Sequence, residues 1–139
     1  MSVNGLKTRV PDGVRDRLAP EASRMRELSG LLEDVYRRWG YREVITPSFE
    51  FAETAAAGLG VSDPQELYQF FDRRGRTLAL RPDMTTPIAR LAATKLLATP
   101  RPLRLSYWAN VFRYDEGKTG GLHELWQSGV ELIGSSGPL

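Results

Sequence analysis

Cysteine is absent from the 139 residues and histidine occurs once, at His123. The first absence excludes disulfides and thiolate metal ligands. The second leaves no histidine-rich site within one chain, so no structural metal is expected. There is no run of about 18 apolar residues. Residues 1–11 hold Lys7 and Arg9 without an apolar core, so neither a membrane span nor a signal peptide is expected, and the default address is cytoplasmic. An excess of one charge is also lacking. The 19 basic residues nearly balance 17 acidic ones, for a net charge of +2, and nucleic acid is not expected as a partner. What remains, 41% apolar and 26% charged residues, is the composition of one ordinary folded domain.

Periodicity orders the chain. In residues 20–39 the apolar Met25, Leu28, Leu32, Val35, Tyr36 and Trp39 recur at helical spacing, and Gly40 suits a left-handed cap after them. Residues 41–46 read as a strand that Pro47 ends. Residues 49–60 are rich in alanine and read as a short helix, followed by a loop at the breakers Gly58, Gly60, Ser62, Asp63 and Pro64. Residues 66–72 and 77–81 flank Arg73-Arg74-Gly75-Arg76 as a hairpin, and that basic cluster is read as a solvated turn, not a phosphate site. Thr85 as cap and Pro87 in the first turn start a helix that runs to Thr99 before Pro100 and Pro102. Residues 103–113 alternate as a strand, a polar loop follows at 116–121, and a second strand covers 122–133. The predicted fold class is α+β, a mostly antiparallel sheet flanked by helices.

In the last strand Gln127, Gly129 and Glu131 share one face, an amide and a carboxylate on either side of a bare backbone that leaves room for a ligand. Arg113 and Asp115 have matching parity on the strand before, and a hairpin is expected to set them beside the glutamine and glutamate. Asp83 and Thr85 stand at a helix mouth. Together these groups suit a free amino acid, whose ammonium takes carboxylate and amide oxygens while its carboxylate takes a guanidinium. Residue types alone leave open a second reading, in which Arg113, Glu131 and Asp83 neutralise one another inside the sheet. Gly117, Gly120 and Gly121 read as turn glycines. His123 and Glu124 point to opposite faces and do not read as an acid–base pair.

Four stretches resemble one family in order and approximate spacing: Tyr41-Arg42-Glu43-Val44-Ile45-Thr46-Pro47, Leu80-Arg81-Pro82-Asp83-Met84-Thr85, Val111-Phe112-Arg113-Tyr114-Asp115, and Gln127-Ser128-Gly129-Val130-Glu131-Leu132-Ile133-Gly134. They are similar to the class II histidyl-tRNA synthetase core. The helix and strand closing at Pro47 resemble motif 1, which implies a dimer interface there, and the strands around Arg113 resemble motif 2. The resemblance implies that Asp83, Thr85, Gln127 and Glu131 surround the amino group of histidine, and that Arg113 matches the motif 2 arginine, which in the synthetase contacts the ATP α-phosphate and the histidine carboxylate. Synthetases usually have glutamate and glycine where this chain has Asp83 and Met84. Arg-Pro-Asp-Met-Thr with Ile88-Ala89-Arg90, and Phe112-Arg113-Tyr114-Asp115, look instead like the regulatory subunits of ATP phosphoribosyltransferase. Gly121 and His123 also stand where the motif 2 loop carries arginines near ATP.

The expectation is therefore a non-catalytic, allosteric regulator in histidine biosynthesis with no cofactor. Its partner would be the short-form catalytic subunit, L-histidine a possible ligand, and self-association is expected. A synthetase fragment and a small binding or dimerisation module are the alternatives. Residues 1–139 are expected to form the N-terminal part of the class II core, with nothing resembling motif 3 before Leu139.

Overall fold

A computed structural model describes residues 9–59, 67–114 and 121–137. Asp115, Gly117, Gly120 and the breakers Gly60, Ser62, Asp63 and Pro64 lie outside the described residues. The first element is helix α1, Glu21–Arg38. Its end follows the sequence. Gly40 has φ +79°, its N–H donates to the Arg37 carbonyl, and the Tyr41 N–H donates to the Tyr36 carbonyl, the pair of bonds that closes a helix through a left-handed residue. Strand β1 is shorter than expected, only Arg42–Glu43, because the chain turns away after Val44 donates to the Ser106 carbonyl.

The expected helix over residues 49–60 is corrected in its first turn. Phe49–Phe51 is strand β2, and helix α2 is Ala52–Leu59. The alternation Phe-Glu-Phe sends Glu50 inward and both rings outward, a period-two pattern that outweighs the helical preference of the alanines behind it. Gly58 is also no breaker. It lies inside α2 where a Cβ would fall 1.9 Å from Thr86 Oγ1, so its missing side chain is what lets two helices approach.

Strands β3, Gln69–Phe71, and β4, Thr77–Leu80, form the expected hairpin. Asp72 holds its turn by accepting from the Arg74 and Arg76 amides and from the Arg76 side chain, so the basic cluster is turn chemistry. These backbone and side-chain bonds hold the Asp72 carboxyl below its ordinary range. Helix α3, Thr85–Thr94, is five residues shorter than expected at its end. Its start differs too. Thr85 lies within the first turn, Met84 is the N-cap, and Asp83 just before it accepts the Thr86 N–H at 3.0 Å.

Strand β5, Leu103–Phe112, and strand β6, Glu124–Ile133, pair antiparallel over their whole length. The order is β1-β5-β6 in one sheet, with β1 parallel to β5, and β2-β4-β3 in a second, all antiparallel. Met84, Ile88 and Ala92 of the α3 segment pack on Leu103, Leu105, Ala109 and Val111, which is the main core. Buried Arg81 joins the two sheets, donating to the Thr46, Pro47 and Asn110 carbonyls and to Asn110 Oδ1 at 2.7–3.3 Å. No helix among the described residues is long and apolar enough to cross a membrane.

Candidate functional site

The register fixes which side chains meet. Tyr107 stands opposite Gly129, Ala109 opposite Gln127 and Leu105 opposite Glu131, so Gln127, Gly129 and Glu131 share the face on which α3 lies. The glycine does not leave empty space. A Cβ at Gly129 would sit 2.6 Å from the Tyr107 hydroxyl, which fills that position. Thr85 donates its hydroxyl to Glu131 Oε1 at 2.8 Å, tying the first turn of α3 to β6.

Electrostatics mark the same corner. Burial, then the Glu131 and Asp83 carboxylates, push the Tyr107 phenol above its ordinary value, so it stays a neutral hydroxyl between two acids. Gln127 Oε1 is buried and has no hydrogen-bond partner among the described residues. An amide oxygen left so costs about 1–3 kcal/mol relative to one that is satisfied. The arrangement offers a donor-rich group, such as an ammonium, one amide oxygen, one phenol and two carboxylates.

Arg113 is not where the hairpin was expected to put it. Its amide donates to the His123 carbonyl, so it lies opposite His123, four residues beyond the Ala109–Gln127 pair. At ~3.3 Å per residue its backbone is about 13 Å along the strand from that of Gln127, although its side chain and that of Glu131 both meet residues 82–85. Parity was legible, but register depends on the connection between the strands. Arg113 instead donates from Nε to the Pro82 carbonyl at 2.8 Å and so meets the Asp83 turn. No ion pair joins Arg113 to Glu131 or Asp83 among the described residues. Mutual neutralisation inside the sheet is therefore not what these groups do there.

Pro47 is exposed between the two sheets, its carbonyl accepting from Arg81. The sequence reading missed four participants. Tyr107 needed the register to be seen. Tyr68 bonds His123 Nδ1 through its hydroxyl, and Tyr114 packs on both rings, making an aromatic group beside Arg113. Gly13 covers His123, accepting its amide at 2.7 Å, where a Cβ would strike the imidazole. No group of three His, Cys, Asp or Glu that could hold a metal occurs among the described residues.

Comparison with known proteins gives a consistent set. The family model described as histidyl-tRNA synthetase matches residues 13–139. An ATP phosphoribosyltransferase regulatory subunit of Symbiobacterium thermophilum is 61% identical over 99% of this chain and 35% of its own length. A histidine–tRNA ligase of Methanosarcina acetivorans is 43% identical over 90% of this chain and 30% of its own. The crystal structure of an ATP phosphoribosyltransferase regulatory subunit/histidyl-tRNA synthetase from Bacillus halodurans superposes with a TM-score of 0.84 at 36% identity, over 99% of this chain and 35% of that one. The chain thus spans about a third of the length of the relatives it matches.

Proposed function

The chain belongs to the histidyl-tRNA synthetase family, and from that premise we propose that it serves regulation and not catalysis, as an ATP phosphoribosyltransferase regulatory subunit in cytoplasmic histidine biosynthesis. Its fold is that of the class II synthetase core, of which it covers part. The observation that carries the regulatory reading is the gap in identity, 61% to a regulatory subunit against 43% to a histidine–tRNA ligase over nearly the same residues.

Asp83 supports it chemically. Its carboxylate is engaged by the Thr86 N–H at the helix start. A glutamate there, one methylene longer, would reach past the helix end. In this reading the old amino-acid site serves sensing. The ammonium of L-histidine is received by Gln127 Oε1 and the carboxylates of Asp83 and Glu131, Thr85 orients Glu131, and Arg113 faces the ligand carboxylate from the Pro82–Asp83 turn. The partner is the short-form catalytic subunit, and no cofactor is required.

Two assays on the whole protein test this. Mixed with a short-form catalytic subunit, it should raise phosphoribosyl transfer to ATP and make that transfer sensitive to histidine. Alone, histidine-dependent exchange of pyrophosphate into ATP should stay at background. Exchange clearly above background, with phosphoribosyl transfer unchanged, would establish the synthetase reading instead.

A further inference from the structure

Behind the sheet, on the face away from Gln127 and Glu131, a cavity of about 260 Å³ separates α1 from the β5–β6 hairpin. Arg17, Met25, Arg26, Ser29, Trp108 and Trp126 line it. The gap has a cause in the sequence. The positions of α1 that look onto the sheet include the small Ala22 and Ser29, whereas the larger Leu28, Leu31 and Val35 are left exposed. The helix therefore bridges the sheet without filling the space beneath it. At one end the Tyr36 and Ser128 hydroxyls bond at 3.1 Å.

The lining combines two chemistries. Trp108 and Trp126 are neighbours, 5.7 Å between centroids and tilted by 32°, and Trp126 keeps 42% of its surface exposed. Indole faces of this kind are used by flat rings or cations. The guanidiniums favour anions. Arg17 lies 3.6 Å from Glu21, itself shared with Arg15, and Arg26 makes no ion pair among the described residues. A cation would meet two arginines, and an aliphatic anion would leave the indoles unused. Beyond Arg26 the space continues to Glu33 and Glu43, whose carboxylates repel an anion and keep it at the arginine end.

We propose that this cavity binds a small planar aromatic anion, its ring against Trp126 and Trp108 and its carboxylate or phosphate on Arg26 and Arg17. The site is separate from the amino-acid site and does not depend on the regulatory reading. Its volume falls just below the ~300 Å³ at which ordinary small-molecule pockets begin, which suits one ring system with a short anionic arm.

Calorimetry on the whole protein with two probe pairs tests it. Indole-3-acetate and indole-3-acetamide differ in the carboxylate charge, as AMP and adenosine differ in the phosphate. At least one anion should bind saturably and roughly tenfold or more tighter than its uncharged counterpart. Arg26→Ala and Trp126→Leu should each weaken that anion roughly tenfold, with Arg26→Lys in between. Which anion responds identifies the source, carboxylate or nucleotide. Anion affinities equal to the uncharged partners, or unchanged in Arg26→Ala, overturn the proposal, since binding elsewhere in the protein would persist in that variant. So does an affinity that falls only in step with a change in oligomeric size, which would make the cavity the seat of a second copy.

Discussion

At the scale of single residues, the alternation of Gln127, Gly129 and Glu131 was legible because a strand has period two, and the structure puts them on one face. The purpose of the glycine was not legible, because it depends on the cross-strand partner. Gly129 is bare to admit Tyr107, whose partly buried ring packs against the main core. Gly129→Ala should therefore cost about 1–3 kcal/mol of stability by overpacking. Denaturant titration should show the loss, and adding Tyr107→Phe should recover only part, since the ring carbon beneath the hydroxyl would still lie 2.8 Å from the new methyl. The same phenol gives a prediction in pH. Its pKa is raised in the fold by burial and by Glu131 and Asp83. It thus holds a proton that the unfolded chain loses near pH ~10. The resulting stability is complete below that pH and declines as pH rises through the raised folded value. Thermal unfolding across the alkaline range should fall less steeply in Tyr107→Phe than in the parent.

At the scale of elements, helix bounds set by local chemistry were readable. Gly40 ended α1 as expected because only its left-handed backbone closes the last turn. Elements whose identity rests on a distant partner were not. β2 exists because β4 lies beside it, and β1 ends after two residues because β5 is met only there. The direction in which α1 faces was equally hidden. Its periodicity announces an apolar stripe, yet none of its residues is buried, and Leu31 is 66% exposed and the Trp39 that follows the helix 74%. Met25 and Tyr36 meet the sheet, while Leu28, Leu31 and Val35 are left exposed, and such an exposed apolar row is a surface for association. We expect the protein to self-associate through it, each of Leu28, Leu31 and Val35 contributing up to about 1.5–3 kcal/mol on full burial. Leu31→Glu should shift light scattering toward the monomer without changing the circular dichroism of the fold. A parent that is monomeric at micromolar concentration would count against this surface.

At the scale of the whole molecule, the proposed regulation would require that histidine bound at the α3–β6 corner changes what a bound catalytic subunit does, and such coupling is a free energy that both sites share. Glu131 separates that idea from a structural one. Its carboxylate accepts from Thr85, and among the described residues it pairs with no cation, so Glu131→Gln removes a charge without stranding a buried arginine. The amide oxygen still accepts from Thr85, and the fold should melt within a degree or two of the parent, as substitutions that leave packing intact usually do. A charge-assisted bond to the ligand ammonium is worth about 1.5–3 kcal/mol, so histidine should bind roughly tenfold or more weakly. In the assembled enzyme the concentration of histidine needed for inhibition should rise in parallel with that loss of affinity, while the uninhibited rate stays at the parent value. Inhibition that keeps its parental midpoint while direct binding weakens would place the inhibitory site elsewhere. A variant that melts far lower and binds normally would make Glu131 a structural residue after all.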